Sequence, residues 1–236
     1  MSGALWLLPV ALGDAPWQDY LPAASREAAC RLTHFVAENA KTARAELKRI
    51  GHPQPLRELA IEQLPEIPSA ADIERLLAPL RNGHDLGLMS EAGCPAVADP
   101  GALLVRRAHE LGLVVKPLVG PSSILLALMA SGLDGQRFAF HGYLPAREPE
   151  RSRRIVELEQ ESARLTQTQI FIETPYRNLA LFNALLLTCR ATTRLCLATD
   201  LTLPSEQIAT HRAVEWKTAS PPNLDKRPTV FLLLAD

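Results

Sequence analysis

SEAGCPAVADPG, residues 90–101, follows the short apolar run 85–90 and decides how we interpret the chain. The run predicts a buried strand, and ligands of open α/β sheets bind beyond the carboxyl ends of strands. Gly93 permits backbone conformations that are closed to other residues, so main-chain groups there can approach a ligand closely. Glu91 adds a carboxylate that suits a cation or a ribose hydroxyl. The stretch 91–95 is therefore predicted to bind a ligand.

The second half of the stretch has a structural explanation. Asp99 suits the N-cap of the next helix, and Pro100 suits its first position. A turn that merely joins strand to helix is the alternative for the whole loop, but residues 91–95 exceed what a cap requires. We therefore expect residues 99–101 to begin a helix.

Strand and helix patterns alternate along the chain. In the first half, strands are predicted at 4–10, 34–38, 57–64, 85–90 and 113–118, with helices at 40–48 after an Asn39 cap, at 70–81, at 102–111 and up to Gly132. In the second half, strands are predicted at 138–144, 169–173, 194–199, 207–214 and 229–235, with helices at 148–164 and 176–187. The last three strands have no long helix between them, so they should pair antiparallel. The fold class is α/β, with one lobe in residues 1–118 and a second, mixed-sheet lobe in 119–236.

Composition favours a globular protein of two domains. The chain has 236 residues, 47% hydrophobic and 22% charged, and a formal net charge of −1, so an RNA partner would need a local basic patch. The four cysteines lack metal-binding spacing and suit reduced, buried thiols. The apolar run at 4–10 lacks the basic flank and cleavage site of a signal peptide, and no apolar run approaches the ~18 residues of a membrane span. We therefore expect a cytoplasmic protein.

Several familiar site motifs are missing from the sequence. It has no G-x-G-x-x-G after the first strand, no G-x-x-x-x-G-K-[ST], no H-E-x-x-H and no G-x-S-x-G. The histidines are scattered singly, and a lone one such as His84 or His141 more often lies in a core or on a surface than on a metal. No metal site is predicted.

Further loops at the ends of predicted strands carry polar residues. They read VGPSS at 119–123, HGYLP at 141–145 and ETPYR at 173–177. Each alone is compatible with a turn or a helix cap, and Glu173 with Arg177 could be an ion pair that orders a turn. Together with 90–101 they favour a binding site.

The content and order of these loops resemble the tetrapyrrole methylase superfamily of S-adenosylmethionine-dependent methyltransferases. Within it, the chain is most similar to the ribosomal small-subunit methyltransferase I group, which methylates a cytidine 2′-hydroxyl. The matching motifs are P-x-x-x-G-D at 9–14, S-[DE]-A-G-x-P-x-x-x-D-P-G at 90–101, the P-G-P-S position at 119–122, G-[FY]-L-P at 142–145 and E-x-P-x-R at 173–177.

The resemblance implies two α/β/α lobes with S-adenosyl-L-methionine in the cleft between them, commonly in a homodimer. It assigns cofactor binding to the loop residues Pro9, Ser90, Glu91, Ala92, Gly93, Cys94, Pro95, Ser122, Ser123, Tyr143, Leu144, Pro228 and Thr229. It assigns Asp14, Glu173 and Arg177 to the acceptor side as catalytic residues.

The acceptor is left open by departures from the group's pattern. Residues 38–41 read ENAK where the group has E-D-T-R, residues 199–203 read TDLTL where it has R-E-L-T-K, and the chain ends soon after 226–230, which suggests a short form. The acceptor hypotheses are ribosomal RNA, or instead a small molecule such as a tetrapyrrole, or a protein. A non-catalytic cofactor-binding module is a third possibility.

Two basic stretches could meet substrate phosphates. Arginines at 147, 151, 153 and 154 follow the 142–145 loop, and a second basic face lies on the helix predicted at 40–48. The alternative is a solvated helix face, since glutamates at 148, 150, 157 and 159 neutralise the first stretch.

Overall fold

The computed structural model describes residues 2–221 and 223–236 and divides into two compact units, Met1–Ser122 (unit 1) and Ser123–Asp236 (unit 2). Within the described residues, each unit contains one five-stranded sheet with helices packed on it. No helix in this part of the chain is long and apolar enough to cross a membrane.

Unit 1 is built on a parallel sheet. Its strands are β1 (Ala4–Leu7), β2 (His34–Ala37), β3 (Ala60–Gln63), β4 (Leu86–Met89) and β5 (Val114–Pro117), in the order β3-β2-β4-β1-β5. Its helices are α1 (Ala23–Ala29), α2 (Ala40–Arg49), α3 (Ala70–Leu76), α4 (Ala78–Arg81) and α5 (Ala102–Glu110). Every strand pair is parallel, so the carboxyl ends of all five strands meet at one edge.

Unit 2 is built on a mixed sheet. Its strands are β6 (Phe138–Tyr143), β7 (Thr168–Ile172), β8 (Arg194–Thr199), β9 (Gln207–Arg212) and β10 (Thr229–Leu234), in the order β6-β7-β10-β8-β9. Its helices are α6 (Ser123–Ser131), α7 (Glu150–Leu165), α8 (Asn178–Thr188) and α9 (Ala213–Trp216). The core between α7, α8, α9 and the sheet holds Phe171, Phe182, Phe231 and Trp216, all nearly inaccessible to solvent.

The α/β fold class is confirmed, and so is antiparallel pairing of the last three strands. The helix predicted over 70–81 is instead two helices that meet at Leu77, because Pro79 has no N–H with which to continue the backbone ladder. Helix α1 and the short helix α9 were not predicted, and α9 replaces the end of the strand expected at 207–214.

One helix cap was predicted correctly and the other wrongly. Asn39 caps α2, since its side-chain oxygen accepts hydrogen bonds from the N–H groups of Lys41 and Thr42 at 2.9 and 3.4 Å. Asp99 does not cap α5: the helix begins at Ala102, with Gly101 in the cap position at φ 125°. A side chain at Gly101 would also lie 2.8 Å from Leu88 Cδ2, so this start of the helix requires glycine.

Candidate functional site

In unit 1, the predicted cofactor residues lie in loops that follow the adjacent strands β4, β1 and β5. The main chains of Val10 and Gly93 exchange both hydrogen bonds, N to O, at 2.9 and 3.0 Å. The Cys94 thiol donates to the Pro121 carbonyl at 3.3 Å. Within this unit the structure therefore brings together the predicted residues Pro9, Ser90, Glu91, Ala92, Gly93, Cys94, Pro95 and Ser122.

These loops approach one another too closely for extra side-chain atoms. A Cβ on Gly120 would lie 2.4 Å from Pro9 Cβ, so a side chain there would force one of the loops to move. Gly93 has φ 73°, a left-handed conformation that other residues adopt only with strain. Pro9, Gly93 and Pro95 are buried, whereas Glu91 and Ala92 are exposed. The loop thus presents residues 91–92 to solvent and buries Gly93 and Pro95.

Carboxylates gather where β2 and β4 end. The Glu91 N–H donates to Glu38 Oε2 at 3.3 Å, and the Ser90 hydroxyl donates to the Ala92 carbonyl at 3.3 Å. Burial, together with the charges of Glu38 and Glu91, raises the pKa of Asp99 to about 6, with burial the largest cause. Burial also raises the pKa of Glu38. Asp99, predicted to be a helix cap, is therefore a carboxyl group with a raised pKa beside the loop predicted to bind the cofactor.

The predicted catalytic residue Asp14 belongs to a polar chain on the first loop. Its fully exposed carboxylate pairs with Arg49 Nη2 at 3.0 Å, and Arg49 also contacts the Gly13 carbonyl and buried Glu46. Glu46 accepts a hydrogen bond from the Tyr20 hydroxyl. Gly13, Glu46 and Arg49 line a cavity of about 210 Å³ that the exposed Glu91 also borders. The negative charge of Asp14 is compensated by Arg49 while its carboxylate stays open to solvent.

In unit 2, predicted site residues meet at one edge of the sheet. Tyr143 is paired with Ile172 across parallel strands β6 and β7, so Leu144 and Glu173 both follow strand ends there. Strand β10 starts at the same edge, because Val230 is paired with Ile172 and Thr229 with Thr199. Tyr143 is exposed, Leu144 and Thr229 are buried, and Pro228 is exposed. Ser123 begins α6 in the same unit.

Glu173 and Arg177 form the ion pair that the sequence left open as an alternative. Arg177 Nη2 and Nε donate to Glu173 Oε1 at 2.7 and 3.0 Å, and the Thr174 N–H donates to the same oxygen at 2.6 Å. The Glu173 side chain is wholly buried, and Arg177 is 43% exposed. The pair orders the turn into α8, and its roles in binding or catalysis stay predictions.

Sequence reasoning missed a second polar group in unit 2. Asn178 is buried, and its Nδ2 donates to the Arg227 carbonyl at 2.7 Å and to Thr229 Oγ1 at 3.3 Å. Arg227 Nε donates to Asp200 Oδ2 at 2.8 Å. Polar residues directly after strand 194–199 and after the ETPYR loop were the available signal, since strand ends are where such groups converge.

Two of the four arginines in the basic stretch 147–154, at the start of α7, form ion pairs. Arg151 pairs with Glu148 at 2.8 Å and Arg154 with Glu157 at 3.0 Å. Arg147 and Arg153 are exposed and form no ion pair with any described residue. On α2, Lys41, Arg44 and Lys48 are exposed as well. Both helices therefore keep some cationic charge available to solvent.

Comparison with known proteins now decides the family. The sequence model of the tetrapyrrole (corrin/porphyrin) methylases matches residues 18–215. The chain belongs to the tetrapyrrole methylase family. The family's sequence motifs lie in the loops that follow the strands of this chain.

The chain is similar to proteins named ribosomal RNA small subunit methyltransferase I. It is 39% identical to the one from Xylella fastidiosa (strain Temecula1) over 146 residues, which are 62% of this chain and 50% of that protein. It is 41% identical to the one from Pseudomonas aeruginosa over 103 residues, which are 44% of this chain and 35% of that protein. The chain thus spans about half, or less, of the length of the curated relatives it matches.

Solved structures of this family share the fold. The methyltransferase CobJ superposes with a TM-score of 0.64 at 16% identity, covering 100% of this chain and 95% of that one. The cobalamin biosynthetic enzyme cobalt precorrin-4 methyltransferase, CbiF, gives 0.62 at 13% identity, covering 98% and 94%. At these identities the likeness establishes the fold of the tetrapyrrole methylases and no more.

Proposed function

We propose that the chain is an S-adenosylmethionine-dependent methyltransferase that methylates a cytidine 2′-hydroxyl of small-subunit ribosomal RNA. The observation that carries this proposal is the set of family-motif loops after β4, β1 and β5, which hydrogen bond directly to one another. Identities of 39% and 41% to ribosomal RNA small subunit methyltransferases I support the choice of acceptor. A cytoplasmic location, expected from the sequence, and a homodimer, implied by the resemblance, belong to the same proposal.

The residues present fit the cofactor. The space at Gly120 admits main chain but no Cβ, and Gly93 has a left-handed φ of 73°, so backbone groups of these loops can lie against a ligand. In unit 2, Glu173 Oε2 is buried without a hydrogen-bond partner among the described residues, which suits a ligand with O–H or N–H donors. We assign cofactor binding to Pro9, Ser90, Glu91, Ala92, Gly93, Cys94, Pro95, Ser122, Ser123, Tyr143, Leu144, Pro228 and Thr229.

The protein's contribution to the reaction is mainly binding and alignment. S-adenosylmethionine, when bound, supplies a methyl group on a positively charged sulfur. Aligning an acceptor with such a group in a closed site supplies much of the acceleration. An oxygen acceptor must also lose a proton. We assign Asp14 and Glu173 to the acceptor side as the nearby carboxylates, with Arg49 and Arg177 fixing their positions.

The proposal is tested by calorimetric titration of the full chain with S-adenosylmethionine. Glu91→Arg should weaken binding at least tenfold, since Glu91 is exposed at the end of the motif loop and an added cation opposes the sulfonium charge. Glu27→Arg, which reverses an exposed charge on α1, serves as the control and should bind like wild type.

Absence of binding by the wild-type chain would overturn the cofactor claim, and equal affinity of the two variants would remove Glu91 from the site. The acceptor is tested separately by mass spectrometry of ribosomal RNA from cells with and without the gene. A missing methyl group on a small-subunit cytidine ribose is expected in the deletion. An unchanged methylation pattern would redirect the proposal to a small-molecule or protein acceptor.

A further inference from the structure

Only one oxygen of the Glu173 carboxylate accepts hydrogen bonds from the described residues. Oε1 accepts three hydrogen bonds, from the Thr174 N–H and from Nε and Nη2 of Arg177, at 2.6 to 3.0 Å. Oε2 is inaccessible to solvent and has no partner among the described residues. Buried polar atoms in folded proteins nearly always have a partner, and leaving one unpaired is unfavourable. A donor from outside the chain would complete this carboxylate.

The charge of the site restricts what that donor is. Arg177 lies against Glu173 and compensates its negative charge, so the pair is formally neutral. A second cation would add net charge to a buried position, which is unfavourable. A neutral O–H or N–H group satisfies Oε2 without that penalty. The charge of the pair therefore favours a neutral hydroxyl or amine as the partner of Oε2 over a charged ammonium or sulfonium.

A second unpaired acceptor lies on the same segment. Asn178 is fully buried, and its Nδ2 is engaged by Arg227 and Thr229. Its Oδ1 has no partner among the described residues. Two buried acceptors without donors, five residues apart and after the end of β7, indicate an environment that requires donor groups rather than one atom left over by chance.

We propose that Glu173 Oε2 binds a donor group, hydroxyl or exocyclic amine, of a nucleoside. This inference rests on the proposed function, whose two ligands, the cofactor and the acceptor nucleotide, are both nucleosides with such groups. Tyr143 and Thr229 flank Glu173 at the same edge of the sheet and offer an exposed aromatic ring and a buried hydroxyl. Glu173 is thereby a ligand-binding residue, and Arg177 positions it.

Glu173→Gln is the sharpest variant. The amide oxygen still accepts from Thr174 and Arg177, while the NH2 group replaces Oε2 and opposes an incoming donor. Glu159→Gln is the matched control, because Glu159 is a buried carboxylate of the same unit whose oxygens are both engaged, by Arg190 and Thr193. Both variants and wild type are titrated with S-adenosylhomocysteine, and the KM for small-subunit ribosomal RNA and the melting temperature without ligand are measured.

We expect Glu173→Gln to weaken one nucleoside at least tenfold while the melting temperature is maintained, and Glu159→Gln to leave both affinities unchanged. Weaker S-adenosylhomocysteine binding identifies the cofactor as the source of the donor. An increased KM for RNA with unchanged S-adenosylhomocysteine binding identifies the acceptor nucleotide.

Wild-type values for both ligands in Glu173→Gln would overturn the inference and leave the proposed function standing, as would equal losses in both variants. If the wild-type chain binds neither ligand, the proposed function is wrong. The inference is then overturned as well, because it requires one of these ligands.

Discussion

The loops at the end of the unit 1 sheet and those at the corresponding edge in unit 2 are held in different ways. In unit 1, Val10 and Gly93 exchange main-chain hydrogen bonds and Gly120 lies against Pro9 with no room for a Cβ. In unit 2, side chains make the connections, and Asn178 and Arg227 link segments that are far apart in sequence. The unit 1 loops depend on the absence of side-chain atoms where they meet, and the unit 2 loops depend on hydrogen bonds and ion pairs made by side chains.

The difference predicts opposite sensitivities. Loops joined by main chain should tolerate changes of charge and fail when volume is added. Loops joined by buried polar side chains should tolerate small changes of shape and fail when one partner of a pair is removed, because the other is left buried and uncompensated.

Removal of Arg227 should have the largest effect. The Arg227 side chain is 18% exposed and pairs with that of Asp200, which is 10% exposed, and its guanidinium also donates to the carbonyls of Ser205 and Asn223. Arg227→Met should lower the free energy of unfolding by about 3 kcal/mol, at the low end for a buried ion pair because some solvent reaches it. Urea denaturation followed by circular dichroism measures the change.

Arg137→Met provides the control in the same unit. Arg137 pairs with Asp134 at 3.5 Å but is 60% exposed, so its loss should cost about 0.5 kcal/mol. If the two variants are equally stable, side-chain connections do not hold the unit 2 loops, and the comparison between the units fails on that side.

Added volume in unit 1 comes next. The Cβ of Gly120→Ala would lie 2.4 Å from Pro9 Cβ, so one of the loops must move. We expect a loss of about 2 kcal/mol in the free energy of unfolding, as for overpacked cores, together with weaker S-adenosylmethionine binding. Urea denaturation and calorimetric titration measure the two effects.

Gly135→Ala is the matched control, because a Cβ there has no neighbour within 4 Å. It should be no less stable than wild type and should bind the cofactor normally. Equal behaviour of the two alanine variants would mean that close approach of the main chains does not organise the unit 1 loops.

The sequence predicted the main-chain part of this comparison better than the side-chain part. Glycine and proline at fixed spacing in residues 90–101 report local backbone requirements, so the loop and its neighbours after β1 and β5 could be identified. The pairing of Asp200 with Arg227 joins residues 27 positions apart through the antiparallel sheet, and nothing local in either segment specifies its partner. Glu173 Oε2, which has no hydrogen-bond partner among the described residues, likewise depends on tertiary burial.

Asp99 shows where a prediction from the local sequence, a helix cap, was wrong. An Asp-Pro-Gly sequence fits a helix start by local rules alone. The positive φ of Gly101 moves the start to Ala102 and leaves the Asp99 carboxyl beside Ser90, with Glu38 and Glu91 nearby. The position of Gly101 against Leu88 decides this, and it is a tertiary contact.

Asp99 is an exception to the expected tolerance of the unit 1 loops for changes of charge. Its substitution should have the smallest effect on the free energy of unfolding. Its pKa is raised from 3.8 to about 6, so between these values the folded state keeps a proton that the unfolded state has released. The penalty for its charge is therefore complete above pH 6 and disappears as the pH falls below 4. Asp99→Asn removes the penalty and should raise the free energy of unfolding at pH 8 by about 1 kcal/mol, a value reduced for partial exposure to solvent.

Urea denaturation of wild type and the Asp99→Asn variant at pH 8 and pH 4 measures the difference, which should fall to a small fraction at the lower pH. Asp19→Asn, at an exposed carboxylate, should give no gain at pH 8. A gain of the same size at both pH values in Asp99→Asn would show that the amide improves packing instead. In that case the charge of Asp99 carries no penalty from burial or from Glu38 and Glu91, because such a penalty would have to depend on pH.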